Sequence, residues 1–465
     1  MSSLLNSPQA RLALYGALGL LLSACSLPRS AQLAAPQQPA QFKQSAPAVG
    51  AVSGASDTEA IPAAWWSLYQ DPTLDALQAQ LVIGNENLKA ALAQVDAARA
   101  VLGQVRAAQQ PQLGGSFNVN RADTGNGAQT NARADLAASW ELDLWGRLKQ
   151  ASLASEARLQ ASQNDLAALR LSAQATLTQS YFSLRVAEAQ QALIARNISA
   201  FQRSLDMTVA RYQAGVVAAT DVLQAETQLK NAQVQSLDTN NQRALAEHAI
   251  AVLLGQAPAQ LSLKQTAKLP LPPSTPELLP STLLQRRPDI NAAERRVAAA
   301  QAQVGEAALA FFPSVSITAG AGLRGPGLHD LFNAPTLLWS LGPALAQKIL
   351  DGGARDAVHA QAIAQAEQAG AVYRQLVLQA FQEVEDNLFL SRQLQAQAGL
   401  QAEALSAALR NLDITQEQYR VGTVSFLNVV VAQTAALNSE RNLLDLQSRQ
   451  LTASNQLLKN IAGSW

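Results

Sequence analysis

The stretch "NARADLAASWELDLWG", residues 131–146, alternates between two kinds of side chain. Ala132, Ala134, Leu136, Ala138, Trp140, Leu142 and Leu144 fall on one parity; Asn131, Arg133, Asp135, Ser139, Glu141 and Asp143 fall on the other. Successive side chains of a strand point to opposite faces, so the pattern predicts a strand that is apolar on one side and polar on the other. "PSVSITAGAGL" from Pro313 repeats it, with Val315, Ile317, Ala319, Ala321 and Leu323 against Ser314, Ser316, Thr318, Gly320 and Gly322. "QLGGSFNVN" and "TLLWSLGPALAQ" alternate more weakly on either side, which gives four strands in two hairpins joined through "ADTGNGA" and "RGPGLHDLFNAP". The rest of the chain has a helical period. From Arg147 to Tyr212 there is neither Pro nor Gly, which predicts one helix roughly 100 Å long at 1.5 Å per residue. Ala354 to Tyr419 is its counterpart, with no Pro and only Gly370 and Gly399. Gly215 and Gly422 follow these runs, where a helix C-terminus favours a residue tolerant of positive φ. The chain then returns through helices at about Ala219 to Leu254 and Phe426 to Ile461, as in an antiparallel coiled coil.

These elements form two copies of one plan: helix, strand pair, very long helix, tight break, helix. "ARYQAGVVAATDVLQAETQL" from Ala210 matches "EQYRVGTVSFLNVVVAQTAAL" from Glu417, superposing Tyr212 on Tyr419 and Gly215 on Gly422. Upstream, Pro111 falls opposite Pro313. The reading divides the chain into 1–24, 25–62, a first repeat at 63–268 and a second at 269–465. Four strands are too few to close a barrel, for which about eight is the practical minimum. Several chains therefore share one sheet, or its edges stay open. Two readings of the apolar strand face remain: lipid covers it, or it is one half-buried side of a soluble sheet.

Composition narrows the class. The chain is 48% hydrophobic but only 5% aromatic, a balance that suits long helices packed through small side chains better than a compact enzyme core. With 34 basic and 34 acidic residues and no basic cluster, nucleic acid is not an expected partner. At the amino terminus Arg11 precedes an apolar run, Leu12 to Leu22, too short to span a bilayer but suited to an export signal. It ends in Leu22-Ser23-Ala24-Cys25, which resembles a bacterial lipoprotein box: cleavage before Cys25, then lipidation of its thiol. Cys25 is the single cysteine; the alternative is a chance Cys beside an ordinary signal. Ser26 rather than Asp implies sorting to the outer membrane. Residues 26–62, rich in Pro, Ala, Ser and Gln, read as a tether.

Taken in order, the Cys25 box, Trp65-Trp66, "WELDLWGR" from Trp140, "RYQAG" from Arg211, "RRPDI" from Arg286 and "LDGGARDA" from Leu350 resemble the TolC family of outer-membrane efflux channels, in particular its lipoprotein members that serve multidrug pumps. The resemblance implies a mainly α fold with a β membrane portion: a trimer in which each chain gives four strands to an outer-membrane β-barrel, continuous with a long periplasmic α-helical barrel. It implies passive conduction of drugs or other small molecules, with a periplasmic adaptor protein, an inner-membrane RND-type transporter and outer-membrane lipid as partners. No cofactor or metal is implied. By the same resemblance Arg211, Tyr212, Gly215, Tyr419, Arg420 and Gly422 form adaptor-docking tips, and Leu427 and Val431, one helical turn apart, form a periplasmic gate. Gln418 stands where the first copy has Arg211. Related channels often carry an acid at the position of Val431, so a hydrophobic ring that closes by dewetting is expected instead. From the residues alone, Gly215 and Gly422 could equally do no more than permit the turn, and Leu427 and Val431 could pack against a neighbouring helix.

Catalysis has little support. Gly320, Gly322 and Gly325 make a formal G-x-G-x-x-G, but Pro326 and Gly327 follow where a dinucleotide site needs a helix to open. His248, His329 and His359 lie far apart with no ligand spacing. The competing class is a coiled-coil structural lipoprotein that spans the periplasm without a pore.

Overall fold

A computed structural model of the chain describes residues 64–123, 125, 127–273, 287–333 and 336–461. A 3-10 turn, Trp65–Tyr69, leads into α1 (Pro72–Gly84) and α2 (Glu86–Ala107), then β1 (Gln112–Asp123), β2 (Ala128–Leu142), α3 (Arg147–Gln213) and α4 (Ala219–Leu253). The plan recurs as α5 (Pro288–Leu309), β3 (Ser314–Gly325), α6 (Leu328–Asn333), β4 (Thr336–Ala346), α7 (Ala354–Val421) and α8 (Phe426–Ile461). The predicted order holds, and α7 runs through Gly370 and Gly399 unbroken. One feature was not legible: part of the loop "RGPGLHDLFNAP" winds into α6, whose Leu331 backbone lies 2.8 Å from where a Cβ on Gly325 would stand. The described residues form two compact units, and each draws on both halves of the chain.

The first unit, from Asp96–Ala161 and Ala293–Tyr373, holds one antiparallel sheet in the order β1-β2-β3-β4. The β2–β3 pairing, with Trp140 opposite Ile317 and Ala132 opposite Gly325, joins the two hairpins. The joints from strand to long helix are specified by the motifs at their ends. In "WELDLWGR", Asp143 accepts from the backbone N–H of Leu148 at 3.0 Å and Lys149 at 2.7 Å, satisfying donors of the first turn of α3. Glu141 pairs with Arg147 at 2.8 Å. Trp145 stacks on Phe312 with centroids 5.2 Å apart and donates to the Pro313 carbonyl at 2.7 Å. "LDGGARDA" makes the corresponding joint before α7: Asp351 accepts from Gly353 N–H at 3.2 Å and pairs with Arg355, whose guanidinium lies over the Phe311 ring.

The second unit, from residues 64–95, 162–292 and 374–461, is helical. Its core gathers Trp65, Tyr69, Leu74, Leu81, Leu177, Tyr181, Phe182 and Leu184, with alanines such as Ala175, Ala232 and Ala453 where helices approach closely. Asp71 organises one corner: one carboxylate oxygen caps α1 through Thr73 N–H and Leu74 N–H, and the other accepts the Tyr181 hydroxyl at 2.5 Å. Burial, reinforced by that bond to Asp71, pushes the Tyr181 phenol up to about 12. At the crossing of α1 and α4 two backbones touch. A Cβ on Gly84 would stand 2.1 Å from the Leu254 carbonyl oxygen, and one on Gly255 equally close to the Gly84 oxygen. Asn85 seals the crossing by donating to the Leu253 carbonyl at 2.7 Å. A buried ionic cluster fixes the segment after α4. Arg185 and Arg243 flank Glu188 at 2.6 and 3.1 Å, and the cluster binds the backbone of Leu263, Lys264 and Thr266.

Candidate functional site

Cross-strand partners share a face, so the register sorts the whole sheet. Leu113, Phe117 and Val119 of β1 stand opposite Ala138, Ala134 and Ala132 of β2. Leu136, Ala138 and Trp140 stand opposite Ala321, Ala319 and Ile317 of β3. Val315, Ala319, Ala321 and Leu323 in turn meet Leu345, Leu341, Trp339 and Leu337 of β4. One face is therefore apolar across all four strands; the other carries Asn118, Asn131, Arg133, Asp135, Ser316, Thr318, Arg324 and Ser340. Little within the chain covers the apolar face, where Trp339 is 77% exposed and Leu113, Phe117, Leu341 and Leu345 are exposed as well. The outer edges of β1 and β4 have no strand partner among the described residues. Trp140, at the base of β2, donates its indole N–H to the Gln109 carbonyl, so aromatic rings mark the level where strand gives way to helix, as at a membrane–water boundary.

The two helix hairpins end in the same turn. After α3, Gly215 (φ 73°) donates to the Tyr212 carbonyl and Val216 to the Arg211 carbonyl, both at 2.9 Å. After α7, Gly422 (φ 85°) donates to Tyr419 at 3.0 Å and Thr423 to Gln418 at 2.9 Å. This pair of hydrogen bonds closes a Schellman turn, which requires the left-handed residue that glycine supplies. The side chains differ. Tyr212 is exposed, whereas Tyr419 is 4% exposed in a cluster with Ala225, Phe426 and Val429. Arg211 crosses from the first turn to the second: it donates to the Tyr419 carbonyl at 2.6 Å and lies 4.6 Å from its ring centroid. Arg420 faces solvent and pairs with Glu417, whose carboxyl it holds below the usual range.

Leu427 and Val431 occupy one side of α8 and are 54% and 61% exposed, while Phe426 and Val429 take the core side. Within the chain neither packs against a neighbouring helix as a core residue. Cys25 lies outside the described residues. The glycines of the formal G-x-G-x-x-G sit inside and at the end of β3 rather than at the start of a helix. Among the described residues no three His, Asp or Glu side chains gather in a metal-binding arrangement.

Sequence reasoning missed the clusters whose partners are far apart in the chain. Arg287 of "RRPDI" is buried and joins Asp289 at 2.7 Å to Glu383 at 2.8 Å; an Arg-Pro-Asp helix start gave no hint of Glu383. Glu188 likewise joins Arg185, three residues away, to Arg243, 55 residues away.

A sheet with one largely apolar face and two open edges, joined in each half to a helix of 67 or 68 residues, defines a membrane channel protein with a long helical extension. The chain belongs to the outer membrane efflux protein family, whose profile matches residues 77–256 and 279–463. It is similar to the solvent efflux pump outer membrane protein SrpC of Pseudomonas putida, at 30% identity over 96% of this chain and 97% of that one. It is also similar to the cation efflux system protein CusC of Escherichia coli, at 29% over 96% and 97%. Among solved structures, CusC superposes with a TM-score of 0.84 at 27% identity over 95% of this chain and 100% of that one. The outer-membrane channel OprN gives 0.83 at 28% over 94% and 98%. The protein is an outer-membrane channel of an efflux pump, with a periplasmic helical extension, and not an enzyme.

Proposed function

We propose that three copies close one twelve-stranded barrel, the β4 edge of each pairing with the β1 edge of the next, and that the channel conducts small molecules passively from an inner-membrane RND-type transporter and its periplasmic adaptor. The observation that carries this reading is the sheet: an apolar face across all four strands together with two unpaired edges. In hydrocarbon an open edge leaves backbone N–H and C=O groups unsatisfied at several kcal/mol each, so a closed ring is required. The relatives' names span solvents, antibiotics, a cation and pyoverdine, and small solutes of this kind are the cargo. Cys25 carries the lipid anchor in the outer membrane. Arg211, Tyr212, Gly215, Tyr419, Arg420 and Gly422 form the tips on which the adaptor docks, with Tyr212 and Arg420 offering the exposed side chains. Leu427 and Val431 from each copy ring the narrow end, and their exposure on the side of α8 away from the core supports that role.

Purified protein run unheated and heated on a denaturing gel, then reconstituted into planar bilayers, tests the proposal. A heat-sensitive trimer band and discrete conductance steps are expected; a monomer without conductance would sink it. Leu427→Ala with Val431→Ser should raise single-channel conductance, and an unchanged value in an assembled trimer would remove both residues from the gate. Cys25→Ser should abolish incorporation of labelled palmitate while leaving the heat-sensitive band.

A further inference from the structure

The polar face of the sheet places two arginines side by side. The register runs Asn118, Arg133, Arg324, Thr336 across β1 to β4 as one row of cross-strand partners. Like charges directly opposite one another destabilise a strand pair, so the row calls for an explanation. The adjoining row is Ser116, Asp135, Gly322, Leu338, and it contains one acid. Asp135 pairs with Arg133 at 2.6 Å. It leans over Gly322, where a Cβ would stand 2.3 Å from a carboxylate oxygen, so the glycine makes room for the acid. The other acid of this face, Glu141, sits at the base of β2 with Arg147. Two guanidiniums thus face one carboxylate at a single level, and Arg324 is exposed.

We infer that Arg133 and Arg324 form a guanidinium collar inside the barrel that binds small organic anions in transit, with Arg324 as the principal ligand and Asp135 setting the position and strength of Arg133. This rests on the reading of the polar face as the lumen of a closed barrel. In that barrel each copy adds two guanidiniums and one carboxylate to the same level, so the collar is positive overall. Fixed charges lining a confined aqueous path act on solutes over a Debye length of about 8 Å at physiological salt. A guanidinium fork engages carboxylate, sulfonate or phosphate oxygens in pairs. The favoured cargo is an amphipathic or aromatic solute bearing an acidic group. Binding must stay weak enough to release, as conduction demands.

The test uses the full-length protein in detergent and a pyrene trisulfonate dye as the anionic probe, titrated by fluorescence. Because the collar lies in the barrel, the readout does not depend on the gate. Arg324→Ser should weaken dye binding by about tenfold, the scale of one charge-assisted contact; Arg324→Lys should recover part of it. Asp135→Asn should tighten binding, a change of opposite sign that a general loss of folding would not produce, and raising the salt should weaken the parent's affinity. The unheated gel run on the same samples reports assembly separately. A parent that runs only as a monomer would overturn barrel and collar together. An assembled parent that binds no dye, or whose affinity is the same in Arg324→Ser and Asp135→Asn, would overturn the collar alone.

Discussion

The two hairpin tips share one backbone and differ in what they do with an aromatic residue. Both close with the same pair of hydrogen bonds around a glycine of positive φ, at Gly215 and at Gly422. The first leaves Tyr212 in solvent; the second buries Tyr419 and covers it with Arg211 from the first. A duplicated turn has therefore kept its backbone requirement in both copies while its side chains divided between surface and core. Gln418 stands where the first copy has Arg211, and that arginine reaches across to the second turn.

The largest test of that contrast is alanine at the paired tyrosines. Tyr419→Ala should lower the local stability of the second tip by about 3 kcal/mol, as for other buried aromatics. Tyr212→Ala should change the first by less than about 0.5 kcal/mol. Amide hydrogen exchange of the tip peptides reads both. Tyr419→Phe sharpens the point: the Tyr419 hydroxyl is buried without a partner among the described residues, so its removal should be neutral or slightly stabilising. Equal losses for the two alanine variants would show that the tips are equivalent.

Arg211→Ala should cost about 1–2 kcal/mol, from a charged hydrogen bond and a cation–π contact. The faster exchange should appear at Tyr419 to Thr423 as well as at the residue's own turn. Exchange changes confined to the first tip would break the cross-connection.

Gly215→Ala and Gly422→Ala should each cost about 1 kcal/mol through the left-handed conformation alone, and by similar amounts. Open space surrounds Gly215, and only the end of the Arg211 side chain lies near Gly422. Gly84→Ala is the informative contrast, since there a carbonyl occupies the space; the thermal midpoint should fall further than for either tip glycine.

The smallest effect is at Glu417. Its carboxyl is held below the ordinary range by Arg420, so the pair's contribution is present above that range and fades as pH falls through the lowered value. Both groups are exposed, so solvent screens the pair. Glu417→Gln should leave tip exchange at neutral pH unchanged, and a clear acceleration would show the pair to be structural.

What the sequence made legible was periodic or local. Period-two alternation identified β2 and β3 and their apolar parity, and Arg147 to Tyr212, free of Pro and Gly, announced α3 almost to the residue. β4 was fainter because Leu337 and Leu338 are consecutive, so a leucine on each face of the sheet blurs the alternation. The Arg211–Tyr419 contact spans 208 positions and the Gly84–Gly255 crossing joins the ends of different helices; neither leaves a period to detect. Leu427 and Val431 could be placed on one face by spacing, but which face was turned from the core depended on Phe426 and Val429 packing with Tyr419.

The open edges of β1 and β4 bear on the order of events in biogenesis. A lone subunit that entered the bilayer would expose two rows of backbone dipoles to hydrocarbon, and one left in the periplasm would carry a sticky apolar ribbon. Neither is a stable resting place, so for the proposed three-copy barrel insertion and association are kinetically coupled. The yield of mature channel should then rise more steeply than linearly with the rate of synthesis, and at low expression the limiting step would be the encounter of copies rather than the folding of any one of them.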